Sequence, residues 1–365
     1  MSKINQMNLR IPGPTPVTPE ILVEMSNLMI NHRGEEFRHL LDSITNRLKE
    51  VYQTSGDVHI LTASGTGAME AAIVNTLSPE DRVLAVTIGA FGDRFAKIAD
   101  VYGADVITLR SQLGEPADPD KIKSCLNDDP SIKAVLVTHN ETSTGVTNDL
   151  KTIAKIVKED FGKLLLVDGI SSIGSVPLET DNWKCDAIAS ASQKGWMVPP
   201  GLAFLSFSLD AWKANANALM PRFYFDLSYY KKYREIGQPP WTPNLSLFFA
   251  LDKTLNLMLK EGLSNIHQRH AKVAQQFRDG VKELGLELLA KPECASDTIT
   301  SVLMPGGIEV KDLLRTARLE HKVELAGGQQ TLANKIFRIG HLGIVTNEEI
   351  SQTLTAIKLS LDALR

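Results

Sequence analysis

Residues 164–194 read LLLVDGISSIGSVPLETDNWKCDAIASASQK, two apolar runs that each end in a residue with chemistry to offer, Asp168 and Lys194. Neither LLLV nor AIASA alternates polar with apolar positions. A strand of that kind is covered on both faces, as in a parallel sheet sandwiched between helices. Outward from this pair the pattern recurs. Upstream lie VHILTAS (58–64), RVLAVTIG (82–89), DVITLRS (105–111) and AVLVTHNE (134–141), and downstream LAFLSFS (202–208). Helix-like stretches such as GAMEAAIVNTL, FGDRFAKIADVYG and DLKTIAKIVKED separate the first five runs. This β-α repetition predicts a doubly wound α/β domain with a mostly parallel sheet of seven strands.

After residue 243 the pattern changes. Long helical stretches at about 245–260 and 264–285 lead to apolar segments near 286–290 and 298–304. Helices at 310–321 and 347–364 follow. This reads as a smaller C-terminal α+β domain. At the other end, IPGPTPVTP is an extended segment before the first helix, because proline fixes φ and drives its predecessor out of the helical region. The expected division is an N-terminal extended segment 1–19, a large α/β domain 20–261 and a small α+β domain 262–365.

A chain of 365 residues can bury a substantial core, and its 43% hydrophobic and 22% charged content is that of an ordinary globular protein. A net charge of -4 leaves no basic footprint for nucleic acid. No apolar run approaches the roughly 20 residues of a membrane span, and the first residues lack the apolar centre of a secretory signal. Cys125, Cys185 and Cys294 are too far apart for a disulfide framework or a CxxC metal site, so buried thiols in a reducing cytoplasm are expected.

The strand ends carry the candidate chemistry, because ligand sites in such sheets lie beyond the carboxyl ends of the strands. Ser64-Gly65-Thr66-Gly67 follows VHILTA and opens a helix, where free N–H groups and a close-approach glycine suit a phosphate, although an N-cap and a turn explain the same residues. Asp168 is costly at the tip of a buried strand unless it meets a cation or several donors. It is either an N-cap or the partner of a protonated ring nitrogen. Lys194, in the small-residue loop Ser192-Gln193-Lys194-Gly195, becomes nucleophilic if desolvated. The two lie 26 residues apart at the ends of consecutive strands, so both can reach one bound ring. Phe91 in GAFGDR can stack on a planar cofactor or serve as a packing anchor. Arg338 in FRIGHLG offers a planar fork for a carboxylate, or a surface ion pair.

Together these motifs resemble the class V aminotransferases of fold type I, and most closely the alanine–glyoxylate / serine–pyruvate aminotransferase branch. The resemblance runs from IPGPTPVTPEI to FRIGHLG and is specific at HNETSTGV (139–146), LLLVDGISSIG (164–174) and SASQKGWMVPPG (190–201). It implies pyridoxal 5′-phosphate, held as a Schiff base on Lys194, which then moves the substrate's proton. It implies that Asp168 pairs with the pyridine nitrogen, that Phe91 and Ile170 flank the ring, and that Ser143 lies near the phenolic oxygen. Thr66, Gly67 and Gln193 would hold the phosphate, with Ala68 where some relatives carry a histidine. Arg338 would bind the substrate's α-carboxylate, with Gly13 and Ser143 beside it. The family completes its sites across a homodimer, and Thr242 in PPWTPN matches a threonine that reaches the neighbouring subunit's phosphate. Pro239 replaces a tyrosine of that segment.

The implied activity is ping-pong transfer of an amino group from alanine or serine to glyoxylate or pyruvate. Aspartate or an aminophosphonate remains an alternative donor, and Arg33 in INHRGEEF is a candidate for a second anionic group, or simply an exposed arginine. Two further readings stay open. A cysteine desulfurase-like lyase needs a mobile cysteine, for which Cys294 in KPECASDT is the late candidate, and a non-catalytic relative would keep the fold alone. A nucleotide-dependent dehydrogenase is disfavoured because the Gly-rich turn lacks the required spacing.

Overall fold

The computed structural model describes residues 7–365, so the first six residues of the expected extended segment lie outside the described residues. The seven apolar runs form one seven-stranded sheet: β1 (Asp57–Leu61), β2 (Arg82–Thr87), β3 (Asp105–Arg110), β4 (Ala134–Thr138), β5 (Leu164–Asp168), β6 (Ala187–Ala191) and β7 (Ala203–Phe207). Their order is β1-β7-β6-β5-β4-β2-β3. Only β7 is antiparallel to its neighbours.

Successive side chains divide between two covered faces, which explains the unbroken apolar runs. Val135, Val137, Leu165 and Val167 pack in one core with Phe37 and Leu251. Ala134, Leu136 and Leu166 enter the other with Ala71 and Phe95. Helix Gly65–Val74 packs against this second face through Ala68, Met69, Ala71 and Ala72, and the alanines of β6 leave room for its close approach.

Because β2, β4, β5 and β6 run parallel, their carboxyl ends share one edge. Thr138 pairs with Asp168, and Asp168 with Ala189. β1 ends at the same edge, since Leu61 and Ala191 both pair with Ala203. The loops carrying Thr66, Phe91, Ser143, Ile170 and Lys194 therefore emerge side by side.

Beyond helices Leu245–Glu261 and Leu263–Glu283, a three-stranded antiparallel sheet has Ile336–Gly340 between Ile299–Leu303 and Ala326–Gly327. Val302, Phe337, Leu313 and Ile357 form its core with helices Val310–His321 and Asn347–Leu364. The apolar stretch 286–290 forms no strand and joins the sheet through the single bridge Leu288–Val302.

The N-terminal segment is extended, and its course matters for the site. Asn8–Leu9 pairs with Val323–Glu324, and Gly340 N–H donates to Arg10 O at 2.6 Å. The chain then crosses to the lysine loop, where Thr15 N–H donates to Gln193 O at 3.0 Å and Thr15 Oγ1 to Lys194 O at 3.1 Å. Helix Pro19–Glu24 follows, with proline at its start.

Candidate active site

Lys194 projects from the loop after β6 into the space beneath this N-terminal crossing. Its Nζ donates to Pro12 O at 2.5 Å. Gly13 lies directly above the amine, where a Cβ would come within 2.7 Å of Nζ, and its φ of +142° is one that side chains rarely adopt. Burial lowers the lysine's pKa to about 8, with Arg338 and Arg94 pushing the same way and Asp168 and Glu141 opposing. An amine so shifted is far more available as base or nucleophile at neutral pH than an ordinary lysine.

Asp168, the last residue of β5, is 4% exposed. Oδ1 accepts from Ile170 N–H at 3.0 Å and Oδ2 from Thr138 Oγ1 at 3.3 Å. The first contact is a local turn rather than a helix cap, since no helix begins there. Burial raises the carboxyl pKa to about 6, and the Glu141 charge adds to the rise. These two donors do not offset the cost of a buried carboxylate, which suits an acid waiting for a cationic partner.

On the next loop, Ser64 precedes helix Gly65–Val74 but makes no side-chain cap. The first N–H groups of the helix are therefore not closed off by the N-cap side chain, the condition for an anion to dock there. A Cβ on Gly67 would meet Phe225 Cζ and Ala63 Cβ at 2.9 Å, and one on Gly65 would meet Ile170 Cδ1 at 2.6 Å. Ile170 thus lies over this loop. Gln193 Oε1 is buried and unpartnered. Ala68 points its side chain into the core, which leaves only its backbone for a ligand.

Phe91 is not at a strand end, as its neighbouring apolar run suggested. It lies in the first turn of helix Ala90–Val101, beyond the end of β2 at Thr87. The Arg94 guanidinium, one turn on, stands 4.7 Å over its ring and 3.5 Å from Thr66 Oγ1. The guanidinium thus covers one face of the Phe91 ring. Ser143 Oγ accepts from Ala90 N–H at 2.9 Å, joining the β4 loop to the same helix.

Arg338 is central in the three-stranded sheet, 5% exposed, with Nε donating to Gly327 O and Nη1 to Thr142 O, both at 2.8 Å. Of a guanidinium's five N–H groups, two are so used. The carbonyls aim the rest. Burial lowers the pKa to about 10. Its Coulombic effect on Lys194 shows how near the two cations lie.

Other candidates stand apart from this cluster. Thr242 is exposed on the loop before helix Leu245–Glu261. Arg33 is exposed and binds Gln238 Oε1 at 3.0 Å, its guanidinium 5.6 Å over the Tyr233 ring. Cys294 is buried, its thiol directed to Gly114 O and its pKa pushed up by burial. The three cysteines are unpaired.

Three contributors escaped the sequence reading: the Pro12 carbonyl on Lys194, the Thr15 clamp on the lysine loop, and the Glu141 carboxylate. The first acts through the backbone and the second binds the backbone of the lysine loop, so neither leaves a residue-type signature. Glu141 lay within HNETSTGV, and a charged residue in an apolar strand-to-loop passage was the signal available.

Comparison with known proteins gives the following. The family model for aminotransferase class-V matches residues 18–352. The soluble hydrogenase small subunit of Synechococcus sp. is 44% identical, over 97% of this chain and 92% of its own. The serine–glyoxylate aminotransferase of Methylorubrum extorquens is 36% identical, over 97% of this chain and 90% of its own. The crystal structure of the alanine–glyoxylate aminotransferase of Nostoc sp. superposes with a TM-score of 0.94 at 32% identity, covering 98% of this chain and 96% of that one.

Proposed function

The chain belongs to the class-V aminotransferase family, whose enzymes depend on pyridoxal phosphate, and we propose that it transfers an amino group from serine or alanine to glyoxylate or pyruvate through Lys194. The observation that carries this reading is the pairing at one sheet edge of a depressed lysine and an elevated carboxylate, with the buried Arg338 fork beside them.

The residues fit the cofactor. A helix start without a side-chain cap, with the Gln193 side-chain amide nitrogen as a further donor, suits its phosphate, which would be held by Thr66, Gly67, the Ala68 backbone and Gln193. Asp168 would pair with the ring nitrogen, Phe91 and Ile170 would flank the ring, and Ser143 would lie near its hydroxyl. When bound, pyridoxal phosphate supplies a carbonyl that condenses with amines and a ring that takes up the electron pair left when Cα loses its proton.

The chain's own part is proton handling and orientation. Lys194 Nζ would take the proton from the substrate's Cα and hold it for delivery. Pro12 O gives that ammonium a fixed acceptor. Asp168 stays ionised against a cationic ring nitrogen, because such a partner lowers the pKa that burial raised. Arg338 fixes the α-carboxylate, and Gly13 leaves the amine accessible.

The enzyme works as a homodimer in which Thr242 of one copy reaches the phosphate cradle of the other. Support comes from the exposed aromatics Phe223 and Tyr224 packed around Trp241 beside it. The division near residue 262 separates the cofactor-holding unit from the unit that carries Arg338. No helix among the described residues is long and apolar enough to cross a membrane, and three unpaired cysteines suit the cytoplasm.

The test is the visible absorbance of the purified protein. Adding L-serine or L-alanine alone should bleach the cofactor band, and glyoxylate or pyruvate should restore it. A band indifferent to both donors overturns the substrate assignment. A protein that takes up no cofactor overturns the roles given to Lys194 and Asp168.

A further inference from the structure

Glu141 is fully buried, 0% exposed, in the short strand Asn140–Glu141 that follows β4. Its Oε2 accepts from Phe91 N–H at 2.9 Å and Gly92 N–H at 3.1 Å, and its Oε1 from Ser143 N–H at 2.9 Å. Helix Ala90–Val101 has glycine at its N-cap and no side-chain cap of its own. The carboxylate thus satisfies the helix's first donors from a neighbouring loop, where the helix dipole favours negative charge. Gly89 makes this possible, since a Cβ there would lie 2.4 Å from Ser143 Oγ and 2.6 Å from Glu141 Cγ.

The same carboxylate lies among the charges of the site. Glu141 raises the pKa values of Lys194, Asp168 and Arg338. The carbonyl of the next residue, Thr142, accepts from Arg338 Nη1. Lys194 therefore lies in the field of two carboxylates, Asp168 and Glu141, and of two guanidinium groups, Arg338 and Arg94. Without Glu141, Asp168 would be the one carboxylate of that set.

We infer that Glu141 is a positioning residue of the aminotransferase site, holding Phe91 and Ser143 against the cofactor and supplying the second negative charge that Lys194 and Arg338 require. The inference rests on the cofactor contacts proposed above for Lys194, Asp168, Phe91 and Ser143. Glu141 touches none of the reacting atoms and acts through the residues it holds.

The experiment compares cofactor-loaded wild type, Glu141→Gln and Glu141→Asp by two readouts. One is the dissociation constant of pyridoxal phosphate, and the other is the midpoint of the pH titration of the visible band, which reports the charge at Lys194. Glutamine keeps the shape but loses the charge and one acceptor oxygen. Its constant should rise tenfold or more, and its midpoint should fall by about half a unit or more, because a removed anion no longer favours the protonated form of the cofactor-linked Lys194 nitrogen. Aspartate keeps the charge but is one methylene short of spanning both loops. Its constant should rise with the midpoint nearly unmoved.

An unmoved midpoint in Glu141→Gln overturns the inference whatever the affinity, since only a helix cap would remain. If that variant does not fold, Glu141→Asp decides, and a wild-type constant there overturns the inference. Failure of the underlying reading is distinct: wild type itself would then take up no cofactor.

Discussion

Replacing Arg338 by lysine keeps one positive charge but removes the fork that donates to Gly327 O and Thr142 O. The consequence can be worked from the site. Burial lowers the guanidinium from its ordinary 12.5 to about 10, which still leaves it charged at any physiological pH. A like shift applied to a lysine, ordinarily about 10.4, brings its ammonium to about 8. The variant should therefore lose its hold on carboxylates as pH rises from 7 to 9, whereas wild type should not. At pH 7 the loss of bidentate geometry at a buried charge pair costs roughly 3 kcal/mol, about a hundredfold in kcat/KM. The assay is the half-reaction with L-serine and, in parallel, with ethanolamine, which is serine without its carboxylate. The loss and its pH dependence should appear with serine and be absent with ethanolamine. Equal losses with both amines, or a serine profile parallel to wild type from pH 7 to 9, would refute the role assigned to Arg338.

Lys194→Ala should keep the fold and lose kcat by about a thousandfold or more, in line with removal of a positioned general base, as single-turnover kinetics would show. Asp168→Asn should raise the thermal stability of the cofactor-free protein above pH 6 while weakening cofactor binding. Its folded pKa of about 6 exceeds the ordinary 3.8, so Asp168 favours folding fully only below about 4 and loses that contribution as pH rises through 6. The gain at pH 8 should reach at most about 3 kcal/mol, at 1.36 per pKa unit, and close toward pH 4; unfolding curves at the two pH values measure it. Gly89→Ala should destabilise by about 1–3 kcal/mol, because the new Cβ would overlap Ser143 Oγ and Glu141, and it should weaken pyridoxal phosphate binding in the same preparation.

The sheet was legible because its strands are buried on both faces. LLLV, AVLV and AIASA have no alternation to mislead, and each is bounded by residues that break a strand. Lys194 and Asp168 were legible because each ends such a run and the runs adjoin. Arg338 in FRIGHLG reads as a candidate for a carboxylate, but the sequence pattern does not mark its strand, Ile336–Gly340. FRIG is short, and its buried arginine breaks the apolar pattern that marks a covered strand. Phe91 was placed at a strand end because RVLAVTIG runs without a break toward it, whereas Gly89 lets the chain turn into a helix one residue before the ring. The stretch DLKTIAKIVKED reads as one helix, yet Leu150–Ala154 gives way to a π-helical turn at Lys155–Asp160, a local choice that apolar periodicity does not encode. Pro12, Thr15 and Glu141 entered through backbone contacts between segments far apart in the chain, and such contacts exist only once the parallel strands have brought their ends together.

The central claim, that Lys194 carries the cofactor and yields it to the amino donor, is tested most directly by borohydride reduction followed by peptide mass mapping. Reduction of the loaded protein should place the pyridoxyl mass on Lys194 alone. Prior incubation with L-serine or L-alanine should abolish that label, and subsequent glyoxylate should restore it. Label on another lysine, or label on Lys194 that neither donor removes, would contradict the account.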